Sequence, residues 1–199
     1  IKGAVSHRNL VFGVIAIFLY VGIEVGIPNV ANLYMTSADG LGMATDIAGT
    51  LVGAYWFLML CGRLIGGAVG GKVSSKAMMV CVSTVAILFL LCGMYLPAGL
   101  KIALLGTEVP VGILFFILCG LCTSVMWGAI FNLAVEGLGK YTSIASGLFM
   151  VMVCGGGLLP LVQGAVADAA GYINSYWVLI AALAYILWFA LLGSKPNKA

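Results

Sequence analysis

Glu24 is the residue of this sequence with the clearest chemical potential. It lies in the middle of an apolar run that extends from Asn9 to Ala38. A carboxylate at membrane depth costs about 2.5–3.5 kcal/mol on insertion scales, so it faces a cavity, pairs with another group or is protonated. We therefore expect Glu24 to bind substrate hydroxyl groups or a proton. A structural ion pair with a neighbouring helix is the alternative.

Other polar side chains within apolar runs could serve the same chemistry. An indole ring can stack on the apolar face of a sugar, and a carboxamide both donates and accepts hydrogen bonds. Packing or helix pairing is the alternative interpretation for each of them. The predicted substrate-binding residues are Glu24, Asn29, Asn32, Trp127, Asn132, Tyr20 and Gln163.

A second group of residues could control conformation. Arg63 lies near one end of an apolar run, where it could extend to the interface or pair with an acid such as Glu136 and lock one state. Proline and glycine weaken a helix or let helices approach closely. We predict Arg63 and Glu136 as a gate, and helix flexibility or tight packing at Pro28, Gly155, Gly156, Gly157 and Pro160.

The composition places the chain in a lipid bilayer. It is 63% hydrophobic and 8% charged, whereas soluble domains carry about 25% charged residues. A net charge of +3 gives no argument for nucleic acid binding. His7 is the single histidine and lies in the N-terminal tail. Without a nucleophile, metal or general-base set, we expect no enzyme activity, no metal and no cofactor.

Six stretches are long and apolar enough to span a membrane, which takes about 20 residues. They are continuous rather than alternating, which indicates helices. We predict an all-α integral membrane protein in which residues 1–199 form a single six-helix bundle. The expected spans are about 10–34, 47–69, 77–97, 111–135, 143–167 and 176–193.

The basic residues of the connections predict the orientation. All but one of the 9 Lys and Arg residues fall on one side, and Lys101 alone falls on the other. Cytoplasmic loops carry the excess of Lys and Arg, so we expect a cell (inner) membrane protein with both termini cytoplasmic. The residues on the basic side are Lys2, Arg8, Arg63, Lys72, Lys76, Lys140, Lys195 and Lys198.

The polarity of the spans suggests two sets of three. The first and fourth are the most polar, the second and fifth are rich in glycine, and the third and sixth are uniformly apolar, as expected of helices facing lipid. With three spans per unit, the second unit is inverted relative to the first. This order predicts the inverted 3+3 repeat of secondary transporters.

Several motifs resemble a known family. Tyr20-Val21-Gly22 with Glu24 is similar to the seventh helix of the fucose permease-like sugar transporters of the major facilitator superfamily, and Gly62-Arg63 is similar to the motif after the eighth. The later motifs resemble the rest of their carboxyl-terminal half; these are Ile130-Phe131-Asn132-Leu133, Leu138-Gly139, Gly155-Gly156-Gly157, Pro160, Gly164 and Asp168-Ala169-Ala170-Gly171.

The resemblance implies twelve helices in two bundles, with a central sugar cavity lined by the first and fourth spans of this chain. It also implies proton-coupled hexose uptake by alternating access, with an amino-terminal six-helix half as the partner. Fucose-transporting members carry an amide where this chain has Glu24, which argues against fucose itself.

Two alternatives remain open from the residues. Because the chain starts at Ile1 rather than Met, we expect it to be a fragment; were it complete, it would be a small homodimeric transporter or channel. The other alternative is a structural membrane protein without transport, in which Glu24 only pairs helices.

Overall fold

The computed structural model describes a bundle of apolar helices. The described residues are 3, 6–38, 41–96, 101–104, 107–136 and 138–193, so Lys2, Pro97, Lys195 and Lys198 of the predictions lie outside them. Five helical stretches are long and apolar enough to cross a membrane, and a shorter one covers Tyr176–Leu192. The helices are α1 (Arg8–Thr36), α2 (Thr45–Val69), α3 (Ser75–Tyr95), α4 (Val111–Thr123), α5 (Met126–Val135), α6 (Thr142–Met152), α7 (Gly155–Ala170) and α8 (Tyr176–Trp188).

Helix α1 is the centre of the bundle. Its 29 residues extend about 43 Å at 1.5 Å per residue, which exceeds the roughly 30 Å of bilayer hydrocarbon. Small residues bring its neighbours close, because a methyl group at Gly13 would meet Ala134 and one at Gly22 would meet Leu159. Close approach of this kind stabilises helix pairs in lipid through van der Waals contact.

The fourth and fifth spans are each made of two helices. The fourth breaks between Thr123 and Met126, and the fifth breaks at Val153 and Cys154. The second break precedes the glycine cluster, and α7 remains helical through Gly157 and past Pro160. The last span ends in a turn of π-helix at Phe189–Gly193.

A short β-hairpin joins the third and fourth spans. Strands β1 (Lys101–Leu104) and β2 (Thr107–Pro110) pair antiparallel, with Lys101 opposite Pro110. This hairpin was not predicted from the sequence, since four-residue strands give too short a period-2 pattern to recognise. The membrane-helical fold predicted from the sequence is confirmed, and the inverted repeat stays a prediction.

The second and fifth spans are the least buried of the five long ones. The third and sixth spans are predicted to face lipid, and α8 of the sixth has a buried face with Leu179, Leu183 and Ile186 and an exposed face with Trp177. Uniform apolarity does not identify the lipid-facing side, because the inside and the outside of a membrane bundle are equally apolar.

The glycine cluster of α7 gives a test of packing against flexibility. A methyl group at Gly155 would meet the backbone carbonyl of Phe18, whereas one at Gly157 has open space. We expect Gly155→Ala to lower the unfolding temperature of the detergent-solubilised protein, at an overpacking cost of about 1–3 kcal/mol. Gly157→Ala is the matched control and should leave stability unchanged or slightly raised. Equal effects of the two substitutions would contradict the packing of α7 on α1.

Candidate functional site

Two facing helices lose backbone hydrogen bonds near the middle of the bundle. Pro28 lies inside α1 and has no N–H to donate to the carbonyl of Glu24. On the facing span, α4 ends at Thr123 and α5 begins at Met126. Backbone carbonyls freed at membrane depth must find other donors. The neighbouring helices have to supply these donors.

The break of the fourth span has a local cause. The hydroxyl of Thr123 donates to the carbonyl of Gly120 at 3.2 Å, and that of Ser124 donates to Leu121 at 2.6 Å. Such bonds from Ser and Thr to the preceding turn compete with the helical pattern and bend helices. These two bonds account for the end of α4 at Thr123.

Two tyrosines donate to these freed groups. The hydroxyl of Tyr55 lies 3.1 Å from the carbonyl oxygen of Glu24 and 3.2 Å from the hydroxyl of Thr123. The hydroxyl of Tyr20 donates to the carbonyl of Thr123 at 3.0 Å. Both rings are fully buried. The tyrosines therefore connect α1, α2 and the end of α4.

Arg63 completes the network with a charged bond. Its Nη2 lies 3.2 Å from Oε1 of Glu24, and its Nε donates to the carbonyl of Ser124 at 3.4 Å. The Glu24 side chain is 16% exposed and that of Arg63 is 52% exposed. The bundle thus pairs an acid and a base within its spans, and it uses the base to satisfy a carbonyl at the helix break.

A cavity of about 560 Å³ lies beside Arg63, between α2, the start of α3 and α5. This volume falls within the roughly 300–1,000 Å³ of small-molecule sites. Its lining includes Arg63, Trp127, Asn132, Ser75 and Ser124. The carboxamide of Asn132 donates to the hydroxyl of Ser75 at 3.3 Å, and Trp127 stacks on Phe131 with centroids 5.6 Å apart. The cavity thus offers an aromatic ring, an amide, a hydroxyl group and a guanidinium.

The other predicted binding residues lie outside this cavity. Asn29 is exposed on α1, and Asn32 is half-buried, one turn further along. Gln163 is fully buried, with its Nε2 3.5 Å from the hydroxyl of Ser175 and its Oε1 without a partner among the described residues. A methyl group at Gly26 would meet this same oxygen. Gln163 therefore lies in the packed contact between α7 and α1.

The gate pairing expected from the sequence differs in the structure. Arg63 pairs with Glu24 and not with Glu136. Glu136 is exposed, and its backbone carbonyl accepts from Nδ2 of Asn9 at 2.8 Å. Arg63 pairs with Glu24 because of the helix break. Its Nε donates to the carbonyl of Ser124 at the break, and this bond holds the guanidinium beside Glu24.

Sequence reasoning missed four residues of this arrangement. Tyr55, Thr123 and Ser124 belong to the network, and Ser75 to the cavity. A Thr-Ser pair inside an apolar span was the available signal for a break. Nothing in the local sequence of α2 indicates that Tyr55 reaches across to the carbonyl of Glu24.

Sequence comparison links the chain to sugar transporters. It is 33% identical over 190 residues to a glucose/galactose transporter of Brucella abortus biovar 1, covering 96% of this chain and 43% of that protein. It is 32% identical over 202 residues to a putative glucose/galactose transporter of Helicobacter pylori, covering 99% of this chain and 46% of that protein. No family model matches the chain.

A solved structure shares the fold. A major facilitator superfamily transporter, FucP, in its outward conformation aligns with a TM-score of 0.80 and 22% identity over 94% of this chain and 43% of that chain. The chain therefore shares the fold of this major facilitator superfamily transporter. It is similar to the carboxyl-terminal half of the fucose permease-like sugar transporters, as its motifs indicated.

The chain spans less than half the length of the curated relatives it matches. Those relatives are named as transporters, not enzymes. A shorter match, 33% identical over 89 residues, is to the L-fucose-proton symporter of Escherichia coli.

The role of Tyr55 gives a test of the network. We expect Tyr55→Phe to lower the unfolding temperature of the solubilised protein, because it leaves the Glu24 carbonyl without its donor at a cost of about 1–3 kcal/mol. Tyr95→Phe is the control, since Tyr95 is 66% exposed. A Tyr55→Phe variant as stable as the control would show that the freed carbonyl has another donor.

Proposed function

We propose that this chain forms the carboxyl-terminal six-helix half of a sugar transporter that takes up a hexose with protons by alternating access. The observation that carries the proposal is the cavity beside the helix break, with Trp127, Asn132 and Arg63 in its lining. The relatives named as glucose/galactose transporters support the same substrate class.

In the proposed complex the apolar face of the sugar stacks on Trp127, and its hydroxyls meet Asn132, Ser75 and Arg63. This combination of an aromatic face with a few polar groups suits a molecule that has both an apolar face and a polar rim. Glu24 is absent from the cavity lining and reaches it through Arg63. A sugar contact by Tyr20, Asn29, Asn32 or Gln163 stays a prediction.

The partner in this proposal is an amino-terminal half with six further helices. Asn29 is exposed on a membrane-spanning helix, where an amide needs a polar partner. A wet cavity between two halves would supply that partner. Rocking of the halves would expose the sugar to either side, with Arg63 and Glu136 proposed as gate residues. The breaks in the fourth and fifth spans, together with Pro28 and Pro160, are proposed points of bending.

The proposed location is the cell (inner) membrane, with both termini in the cytoplasm. Arg8, Lys72, Lys76 and Lys140 lie at or near helix ends on one side of the bundle, and Lys101 begins the hairpin on the other. This bias favours the basic side as cytoplasmic.

The size of the native gene product tests the half-transporter proposal. We expect a polypeptide of roughly twice the 20.6 kDa of this chain, because the chain covers 43% of its relative. Mass spectrometry of the protein from its native gene measures this directly. A product of the size of this chain would favour a homodimer instead.

Substitution of Trp127 tests the proposed sugar site. We expect Trp127→Ala in the native gene product to raise the half-saturation concentration for labelled galactose about tenfold, because losing the apolar area that the ring buries against the sugar costs about 1.5 kcal/mol. Trp177→Ala is the control, since Trp177 is exposed on α8. Unchanged saturation in Trp127→Ala would contradict a sugar contact by the ring.

A further inference from the structure

Arg63 lies between an acid and a cavity. Its guanidinium bonds Oε1 of Glu24 and the carbonyl of Ser124. Arg63 also lines the cavity that Trp127 lines. A guanidinium carries five N–H donors in a fixed planar arrangement. The bonds to Glu24 and Ser124 use two of them, which leaves donors for a ligand in the cavity.

Glu24 restricts a side chain that is otherwise flexible. Ordering an arginine side chain costs about 1.5–2 kcal/mol of rotamer entropy, and Arg63 is 52% exposed. The ion pair and the Ser124 carbonyl hold Nη2 and Nε at two points, which fixes the plane of the guanidinium. Binding to a guanidinium that is already ordered avoids this entropy cost at the moment of binding.

The backbone at Glu24 is also held in place. Tyr55 donates to the main-chain carbonyl of Glu24 at 3.1 Å, and Tyr20, one turn earlier on α1, donates to the carbonyl of Thr123 at 3.0 Å. Glu24 does not line the cavity. Its position therefore suits support of the guanidinium better than direct contact with a ligand.

We propose that Glu24 is a positioning residue for sugar recognition: it fixes Arg63 so that the guanidinium donates to hydroxyl oxygens of a hexose stacked on Trp127. This inference rests on the proposed function of the same cavity. A planar pair of donors matches two adjacent hydroxyl oxygens. Discrimination between hexoses that differ at one of these hydroxyls then depends on Glu24 although Glu24 does not touch the sugar.

A double-mutant cycle on galactose uptake by the native gene product tests this. Glu24→Ala and Arg63→Ala should each raise the half-saturation concentration about tenfold, as for loss of a hydrogen bond to a charged group. The double variant should be no worse than Arg63→Ala, because Glu24 acts through Arg63. Glu24→Gln should have a smaller effect, since the amide oxygen still accepts from the guanidinium. Glu108→Gln, exposed in β2, is the matched control.

Deoxy sugars provide a readout that general destabilisation does not change. In the wild type, we expect at least one deoxygalactose to compete with labelled galactose for uptake more weakly than galactose itself does, because it lacks the hydroxyl that Arg63 bonds. This penalty should disappear in Arg63→Ala and also in Glu24→Ala. If the alanine variants do not reach the membrane, Arg63→Lys should abolish the penalty and Glu24→Gln should reduce it.

The outcomes separate the two proposals. Additive effects in the cycle, or a full deoxy penalty in the Glu24 variants, would overturn the positioning role and leave the transport proposal standing. A wild-type gene product that takes up none of the hexoses would overturn the proposed function itself.

Discussion

The structure depends on one constraint, which is that a backbone carbonyl freed inside a membrane must find a new donor. Pro28 frees the carbonyl of Glu24, and the break after Thr123 frees two more on the facing span. Tyr55, Tyr20 and Arg63 donate to these three carbonyls. The polar network is thus a consequence of backbone hydrogen bonds lost in two facing spans, one at a proline and one at a helix break.

The same constraint explains why an arginine lies within the spans. Capping Ser124 brings a positive charge into the bundle, and Glu24 balances it at 3.2 Å. Removing one partner of such a pair is more costly than the pair is worth, because the remaining charge is left unbalanced. The pair also places a guanidinium at the wall of the cavity that Trp127 lines. Arg63 therefore has a structural role at the helix break and a proposed role in sugar recognition.

Much of this could be predicted from the sequence, because length and apolarity suffice to define membrane helices. The expected span 111–135 matches the outer limits of α4 and α5, and the similarity to sugar transporters and the shared fold agree with the resemblance that the motifs indicated. The pairing of Arg63 with Glu24 was not predicted, since Glu24 lies 39 positions away along the chain and only helix packing brings the two together; the gate of Arg63 and Glu136 stays a prediction. Asn29 and Gln163 looked equally polar in sequence, yet one is exposed and the other buried, which depends on helix rotation that a uniformly apolar span does not encode.

The ionisation of Glu24 tests the central claim most directly. Infrared difference spectra of the native gene product in lipid at neutral pH, wild type against Glu24→Gln, isolate the signal of this one carboxyl group. If Glu24 pairs with Arg63 as described, the wild type shows the antisymmetric stretch of an ionised carboxylate, and Arg63→Gln alters it. A carbonyl stretch of a protonated acid in the wild type would contradict the ion pair and the network built on it.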